Sequence, residues 1–430
     1  MKERIEIGLM GLGVVGGGVE NALREKAADI AKQVGAPLAV KRILVRDPSK
    51  KRTCQVQPHL LTTDPQHILS DPEIDIVVEV IGGESPAYDY IKESISRGKH
   101  VVTANKEVIA KHGFELLNLA AQHQVALLYE ASAGGGIPLI GPLRHDLLAN
   151  KISAIHAIIN GTTNYILTKM ALEDIDFTTA LREAQELGYA EADPASDVEG
   201  IDAAYKLVIL AALAFQTQVL LGDVYHEGIS RLAARDFRYA KELGYTVKLL
   251  AIAKREDNTF QVRVHPTFIP DDLLLAKVNG VFNAVQIDGD LTGRILFYGQ
   301  GAGAAPTSSA ILADAIRVAQ NINQGLSQIP QVRLGQTMTA RPISEIETRY
   351  YLRMTVADRP GVLAQITRIL GELLISISSV IQKGVDERAQ SAEIVIMTHP
   401  AQERAMQQAI SQMEKLDVVK EISNLVRVED

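Results

Sequence analysis

The chain has 430 residues, of which 47% are hydrophobic and 22% charged, so it carries enough apolar material for packed cores and is neither disordered nor collagen-like. Its 44 basic and 52 acidic residues give a net charge of −8, which opposes a general affinity for nucleic acids or anionic membranes. The single cysteine, Cys54, excludes an intramolecular disulfide and a cysteine-based zinc cluster, and it fits a reducing cytoplasm.

The first 130 residues alternate short apolar runs with helical patterns. We predict strands at Ile5–Met10, Ala39–Val45, Ile74–Ile81, His100–Ala104 and Val125–Glu130. Helices are predicted at Val15–Val34, Ala87–Arg97 and Lys106–Gln122. Apolar strands separated by helices indicate a parallel sheet covered on both faces, so this region is predicted to be a doubly wound α/β domain of the Rossmann type.

The following region, up to about residue 325, mixes strands and helices in irregular order. Strands are predicted at Ile152–Ile159, Phe260–Pro266 and Asn283–Ile287, and helices at Asp202–Phe215 and Ser309–Gln320. This order favours an α+β domain. The most hydrophobic stretch, Leu207–Phe215, is too short to cross a bilayer of about 30 Å, and the N-terminus shows no secretory signal, so no membrane partner is expected.

The last part of the chain repeats a simple pattern of alternating and helical segments. From Arg349 onward the predicted order is βαββαβ, which is that of a small ferredoxin-like unit. Asp358 and Pro360 together predict a helix N-cap and helix start. The polar segment before it, with Pro330 and Pro342, is predicted to be a linker.

A glycine pattern follows the first strand. Gly11, Gly13 and Gly16 form G-x-G-x-x-G, with Val14 and Val15 at the start of the next helix. In such a loop the first glycine takes the tight turn, the second admits a pyrophosphate, and the third allows close helix–strand packing. The helix N-terminus then offers N–H groups to the phosphates. The pattern therefore predicts a dinucleotide site.

The residues after the second strand bear on which dinucleotide binds. Arg46, with Lys50 or Arg52, is suited to pair with a 2′-phosphate, whereas Asp47 is suited to accept from a free 2′-hydroxyl. The basic residues favour NADP, and NAD remains the alternative.

Several further motifs occur in a characteristic order: VVEVIGG from Val77, GKHVVTANK from Gly98, YEASAGGGIP from Tyr129, NGTTNYIL from Asn160 and ELGYAEADPASDVEGIDAAYKL from Glu186. Together they closely resemble homoserine dehydrogenase over almost the whole chain. The tail, with DRPGVLAQI from Asp358, looks like an ACT domain. The resemblance implies reversible NAD(P)H-dependent reduction of L-aspartate 4-semialdehyde to L-homoserine, in threonine, methionine and isoleucine biosynthesis.

The reaction needs a proton donor beside the hydride donor. Asp202 and Lys206 are spaced i, i+4 on a predicted helix, so both side chains face the same way. An ammonium beside a carboxylate can protonate an alkoxide and reverse the role in oxidation. The resemblance implies that Lys206 is the acid/base, with Lys106, at the end of the VVTANK strand, as the second candidate.

The resemblance also implies the other site residues. Substrate contacts would be Glu191, Thr162 and Asp197. The returning segment with Gly301 and Gly303 would touch the cofactor, as would Lys106. A monovalent cation, Na⁺ or K⁺, would be held by Glu130, Ala133, Gly135 and Ile137. An amino-acid effector, expected to be threonine, would bind at Asp358, Pro360 and Gly361, although Leu374 stands where relatives often carry a small or polar residue.

The implied organisation is a Rossmann domain at residues 1–130, completed by about 304–325, around a catalytic and dimerisation domain at 131–303. A linker at 326–348 and an ACT domain at 349–430 follow. Sheet edges of such units favour pairing, so a homodimer or homotetramer is expected.

Two competing interpretations can be weighed. Aspartate-semialdehyde dehydrogenase needs a cysteine nucleophile, and Cys54 lies in the wrong element for that role. A nucleotide-sensing regulator without chemistry would leave Glu191, Asp202 and Lys206 without a role.

Overall fold

The computed structural model describes residues 2–52, 54–326, 334–335, 337–386 and 390–429. Up to residue 150 the elements are β1 (Ile5–Met10), α1 (Val14–Glu25), α2 (Ala27–Val34), β2 (Leu38–Leu44), β3 (Leu61–Thr62), α3 (Gln66–Leu69), β4 (Ile74–Glu79), α4 (Ala87–Ser96), β5 (His100–Thr103), α5 (Lys106–Gln122), β6 (Leu127–Leu128) and α6 (Ile140–Arg144).

The middle of the chain contains β7 (Ile152–Ile158), α7 (Gly161–Glu173), α8 (Phe177–Glu186), α9 (Ala195–Val198), α10 (Ile201–Phe215), β8 (Val224–His226), α11 (Ala234–Glu242), β9 (Tyr245–Glu256), β10 (Thr259–Pro270), β11 (Phe282–Gly289), β12 (Gly293–Gln300) and α12 (Ala304–Gln324). The remaining elements are β13 (Thr339–Ala340), β14 (Glu347–Ala357), α13 (Val362–Glu372), β15 (Ile377–Asp386), β16 (Ser391–Thr398), β17 (Ala401–Gln402), α14 (Glu403–Met413) and β18 (Val419–Val428).

The chain divides into two compact units. The first comprises Met1–Ile155, Tyr205–Leu221 and Asn283–Met338, and the second comprises His156–Ala204, Gly222–Phe282 and Thr339–Asp430. Among the described residues, no helix reaches the length and mean hydropathy that a membrane span requires.

The first unit is built on a parallel sheet with the strand order β3-β2-β1-β4-β5-β6. Its central strand β1 has an apolar core: Ile5, Ile7 and Leu9 are completely buried. The predicted doubly wound sheet is therefore confirmed. Helix α12, far away in sequence, joins the same apolar core through Ile311 and Val318, and it packs on α1 and α2.

Two predicted elements of this unit are wrong in their extent. The helix predicted over Val15–Val34 is two helices, because the backbone at Lys26 leaves the helical region (φ −106°, ψ 15°) between α1 and α2. The strand predicted over Val125–Glu130 is reduced to Leu127–Leu128, because Glu130–Ser132 turns into a 3₁₀ helix.

The second unit contains a mixed sheet that joins strands distant in sequence. Its order is β9-β10-β18-β14-β16-β15, in which β10 and β18 are parallel and the other neighbours antiparallel. The contact between β10 and β18 is short, with Thr267 opposite Arg427 and Phe268 opposite Val428. Through it the C-terminal βαββαβ unit continues the sheet of the preceding segment, and that unit's predicted order is confirmed.

Buried charged pairs accompany this junction. Arg353 of β14 donates to Asp236 of α11 at 2.7 Å, and both side chains are buried. Arg427 of β18 binds Glu403 at 2.7 Å and Glu227 at 2.8 Å. The C-terminal βαββαβ unit is therefore joined to β8–β10 and α11 by charged contacts as well as by strand pairing.

The start of α13 differs from its prediction. Asp358 is not the N-cap: the helix begins at Val362, and its N-cap is Gly361, whose φ of 87° suits a glycine. Within the predicted linker, Thr339–Ala340 pairs with β10 and Ile343–Glu345 forms a 3₁₀ turn. Residues 327–333 and 336 of that segment lie outside the described residues.

Candidate active site

The predicted dinucleotide loop has the backbone geometry that a phosphate site requires. Gly11 has a φ of 105°, and a Cβ there would lie 2.8 Å from the carbonyl oxygen of Val80. A Cβ at Gly16 would lie 2.1 Å from the carbonyl oxygen of Gly11. At Gly13 a Cβ would meet nothing within 4 Å, so the space above the loop is open. The residues present therefore fit a dinucleotide pyrophosphate at the start of α1.

The turn after β2 is organised by its own side chains. The carboxylate of Asp47 accepts hydrogen bonds from the backbone N–H of Ser49 at 2.8 Å and from its hydroxyl at 2.6 Å. These bonds lower the pKa of Asp47. Arg52 donates to the carbonyl of Lys50 at 2.8 Å. Arg46 and Lys50 are exposed. The turn thus presents Arg46 and Lys50, while Asp47 is held by Ser49.

Lys106 is positioned by a buried network that sequence reasoning missed. Asn105 caps α5 by accepting from Val108 N at 3.1 Å, and its Nδ2 donates to the carbonyl of Gly83 at 2.7 Å. Thr103 accepts from Asn105 N at 2.9 Å and donates to Glu79 at 2.6 Å. Burial raises the pKa of Glu79, which is fully buried. Half-buried Lys106 is therefore fixed at the carboxyl ends of β4 and β5, where open α/β sheets bind ligands.

The loop predicted to hold a cation is organised around Glu130. The Glu130 carboxylate accepts the backbone N–H groups of Leu139 at 2.7 Å, Ile140 at 2.8 Å and Gly141 at 2.6 Å. Its own N–H donates to Asp314 of α12 at 2.8 Å, and burial raises the pKa of Asp314 to about 7. The Glu130 side chain is thus occupied by main-chain donors.

The same loop lies against the returning segment at the start of α12. Gly135 has a φ of 58°, and a Cβ there would lie 2.3 Å from the carbonyl oxygen of Gly301. Gly136 N donates to the carbonyl of Gln300 at 3.2 Å, and Ile137 N to that of Gly134 at 2.9 Å. Ala133 is buried. Exposed Gly303 precedes α12, whose Ser308 donates to the carbonyl of Val15 at 3.3 Å.

Helix α10 carries the predicted proton-transfer pair. Asp202 lies in its first turn and is 3% exposed. Lys206 lies one turn later and is half-buried. The i, i+4 spacing on an observed helix places the two side chains on the same face.

Asp202 and Asp197 meet at the side chain of Asn160. Asn160 Nδ2 donates to Asp197 Oδ1 at 2.7 Å and to Asp202 Oδ2 at 2.8 Å. The structure therefore brings together two predicted site residues, and it adds Asn160, which sequence reasoning left out. The signal was present in the NGTTNYIL motif, since Asn before Gly-Thr-Thr is a good helix N-cap.

The other substrate candidates lie on the loops around α7 and α8. The Thr162 hydroxyl donates to the carbonyl of Tyr189 at 2.7 Å. Glu191 is exposed on the loop between α8 and α9, and its carbonyl accepts from Gln185 at 3.1 Å. These contacts tie the start of α7 to the segment from Tyr189 to Glu191, and they leave the Glu191 carboxylate at the surface of its unit.

The predicted effector loop is exposed. Asp358, Pro360 and Gly361 are all exposed, and Asp358 N donates to the carbonyl of Gln390 at 3.1 Å. Leu374 has a φ of 60° and is 91% exposed, an unusual state for a leucine.

Cys54 is buried, and burial raises the pKa of its thiol. Its sulfur packs near Gly17 of α1, where an added Cβ would lie 3.2 Å away. A buried thiol with a raised pKa is a poor nucleophile. This disfavours the covalent chemistry of an aspartate-semialdehyde dehydrogenase.

Comparison with known proteins gives a consistent family. The family model described as homoserine dehydrogenase, NAD binding domain, matches residues 11–130, and the model described as homoserine dehydrogenase matches residues 138–316. The ACT domain model matches residues 350–418.

Whole-chain relatives agree. A homoserine dehydrogenase of Neisseria gonorrhoeae is 42% identical, with 99% of this chain and 98% of that protein covered. The crystal structure of a homoserine dehydrogenase from Thiobacillus denitrificans has a TM-score of 0.92 at 43% identity, covering 99% of this chain and 98% of the other. A hyperthermophilic archaeal homoserine dehydrogenase in complex with NADPH has a TM-score of 0.64 at 28% identity, covering 77% of this chain and all of that one.

Proposed function

This chain belongs to the homoserine dehydrogenase family and is an NAD(P)-dependent oxidoreductase, and we propose that Lys206 and Asp202 are the proton-transfer pair of its reaction. The reaction interconverts L-aspartate 4-semialdehyde and L-homoserine. When bound, the reduced nicotinamide supplies the hydride that adds to the aldehyde carbon. The observation that carries the proposal is the placement of Lys206 one turn after buried Asp202 on α10.

In this proposal Lys206 gives a proton to the aldehyde oxygen as it gains negative charge, and it accepts that proton back in homoserine oxidation. Asp202, one turn earlier on the same face of α10, orients the lysine. Glu191 binds the substrate ammonium group, with Asp197 and Thr162 as further substrate contacts. Lys106, fixed by the Glu79–Thr103–Asn105 network, is the second candidate for the proton donor.

The test of the lysine assignment is Lys206→Ala beside Lys106→Ala. General acid catalysis is worth about 10²- to 10⁴-fold, so kcat of the Lys206 variant should fall by that factor while NADPH affinity stays unchanged. Lys92→Ala, which removes an exposed lysine paired with Glu115, is the control. Near-normal turnover of Lys206→Ala, with a large loss in Lys106→Ala, would transfer the role to Lys106.

We further propose that the cofactor is NADPH, with NADH the alternative. Support comes from exposed Arg46 and Lys50 after β2, and from Asp47 being held by Ser49. A related archaeal enzyme has been solved with NADPH. Steady-state kinetics with both cofactors tests this: the double variant Arg46→Ala/Lys50→Ala should raise KM for NADPH and leave KM for NADH little changed. An equal rise in both values would contradict it.

A monovalent cation, Na⁺ or K⁺, is proposed to bind at the loop from Ala133 to Ile137. Oxygen ligands suit such hard cations, and the carbonyls of Ala133, Gly135 and Ile137 are candidates. Because three N–H groups occupy the Glu130 carboxylate, we assign Glu130's contribution to its main-chain carbonyl. Activity assayed in tetramethylammonium buffer should recover on addition of KCl or NaCl; equal activity without them would contradict the site.

For regulation, we propose that the ACT domain binds threonine at the loop of Asp358, Pro360 and Gly361. The loop precedes the N-terminus of α13, which is suited to a carboxylate and has no acidic residue in its first turn. Titration of L-threonine should inhibit the enzyme with a coupling of about 1–3 kcal/mol. If L-threonine neither inhibits the enzyme nor gives a heat of binding, the ACT domain has a structural role only.

A homodimer or homotetramer is proposed as the working assembly. Exposed Leu291 and Tyr298 near β12 support an intermolecular contact there. Light scattering coupled to size exclusion gives the subunit number, and a monomer at assay concentration would contradict the proposal.

A further inference from the structure

Asn160 lies between β7 and α7, and both the nitrogen and the oxygen of its side-chain amide form hydrogen bonds. The residue is 5% exposed. Oδ1 accepts from Thr163 N at 2.8 Å and from the Thr163 hydroxyl at 3.0 Å. Nδ2 donates to Asp197 at 2.7 Å and to Asp202 at 2.8 Å. Both N–H donors of the amide are therefore committed to carboxylates.

The orientation of this amide follows from its surroundings. The N-cap of a helix must offer an acceptor to the backbone N–H groups of the first turn, so Oδ1 faces Thr163. A carboxylate accepts hydrogen bonds and offers no proton when ionised, so the two aspartates must face Nδ2. The cap and the two carboxylates thus require the same orientation.

The two carboxylates come from different elements. Asp197 lies in the short helix α9, and Asp202 in the first turn of α10. Like charges this close repel each other, so without a shared donor the two carboxylates would separate. A pair of N–H donors from one nitrogen holds them together, and it also fixes α9 and α10 to the start of α7.

We propose that Asn160 is a positioning residue that holds the Asp197 and Asp202 carboxylates in register for catalysis. The inference rests on the proposed function, since it needs the assigned roles of these two aspartates. Asp and Ser cap helices as well as Asn does. Of these three residues, only Asn combines the cap acceptor with two N–H donors for two carboxylates. The need for asparagine at position 160 therefore comes from the two aspartates and not from capping α7.

Two substitutions separate the cap from the donors. Asn160→Ser keeps a cap acceptor and loses the two N–H donors, and we expect kcat/KM for homoserine to fall about 10- to 100-fold, as for misplaced catalytic groups. Asn160→Asp also keeps the cap but sets a third carboxyl against Asp197 and Asp202. When protonated, that carboxyl donates one hydrogen bond. Its activity relative to the unsubstituted enzyme should therefore fall as the pH rises from 6 to 9.

The matched control is Asp176→Ala, which removes the N-cap acceptor of α8 and should leave kcat/KM unchanged. Thermal unfolding and NADPH binding confirm that each variant is folded. If Asn160→Ser does not fold, Asn160→Asp carries the test through its pH profile. A folded Asn160→Ser enzyme within twofold of the unsubstituted one, or a flat activity ratio across pH for Asn160→Asp, would overturn the inference.

Failure of the proposed function gives a different result. Asp197→Asn and Asp202→Asn should each lose activity if the two aspartates work as assigned. If both variants stay active, those assignments fail. If both lose activity while Asn160→Ser does not, the assignments stand and only the positioning role of Asn160 fails.

Discussion

The sheet of the nucleotide-binding unit and the sheet that joins β10 to the ACT domain bury different chemistry. Ile7 and Leu9 in the centre of β1 are fully buried among apolar neighbours. The second sheet buries Arg263, Arg353 and Arg427 at 7% exposure or less, together with their carboxylate partners.

The two sheets differ in how strictly they require particular neighbouring side chains. Apolar burial stabilises in proportion to area and tolerates many arrangements of similar volume. A buried ion pair gains little net stability over an apolar pair, but breaking it leaves an uncompensated charge. The nucleotide-binding sheet is thus stabilised by the amount of apolar area that it buries. The junction with the ACT domain depends instead on particular pairs of charged side chains.

The largest effect is expected from Arg353→Ala. Removing the guanidinium leaves buried Asp236 without its cation and leaves Glu393 paired only with the exposed Arg235. Loss of one partner of a buried pair costs about 3–5 kcal/mol in the free energy of unfolding. Urea denaturation followed by circular dichroism measures it. Arg368→Ala, which breaks an exposed pair with Glu372, should lower the free energy of unfolding far less, because solvent screens exposed pairs. Equal effects in the two variants would remove the distinction between the sheets.

Leu9→Ala should cost about 3 kcal/mol, since it leaves a cavity in the centre of the apolar core. The same denaturation experiment measures it. An apolar residue of similar volume at position 9 should avoid most of this cost, whereas the Arg353 site requires its particular partner. The stability of Leu9→Met is expected to be within about 1.5 kcal/mol of that of the unsubstituted protein. A loss in Leu9→Met as large as in Leu9→Ala would show that this core also depends on particular partners.

Asp314 is a buried carboxyl of the nucleotide-binding unit, and its effect should appear as a dependence of stability on pH. Burial raises its pKa from 3.8 to about 7. Between these values the folded protein holds a proton that the unfolded chain has released. Its contribution to stability is therefore fully present below about pH 4, falls as the pH rises, and is lost above about pH 7, at up to about 1.4 kcal/mol per pH unit.

Asp314→Asn keeps an acceptor for Glu130 N–H and does not titrate, so this slope should disappear from its stability profile. Thermal unfolding between pH 5 and 8 measures the profile. An unchanged slope in the variant would assign it to another group.

The apolar sheet was also the more predictable of the two. β1 and α5 occur where predicted, because apolar runs and helical spacing of apolar residues give strong local signals. The break at Lys26 and the N-cap at Gly361 depend on backbone conformations that local patterns specify weakly. The pairing of β10 with β18 joins residues far apart in sequence, and no local pattern encodes it.

In the candidate site, the glycine loop and the Asp202–Lys206 spacing were readable because each lies within one short segment. The contact of Asn160 with Asp197 and Asp202 was not, because it joins three elements through one side chain. Lys248 shows the same limit. A lysine in a strand is expected outside, yet it is 1% exposed, donates to Asn164 at 3.2 Å, and burial lowers its pKa to about 8.

The short parallel contact between β10 and β18 has a consequence for engineering. Enzymes freed from feedback are often sought by deleting a regulatory tail. Here the tail's last strand is a neighbour of β10, and Glu429 just beyond it accepts from Lys254 at 2.6 Å and also binds Arg263. Deletion would expose an open strand edge and would leave buried Arg263 and half-buried Lys254 without this carboxylate. Insensitivity to an effector is better sought at the exposed Asp358–Gly361 loop, which carries none of that framework.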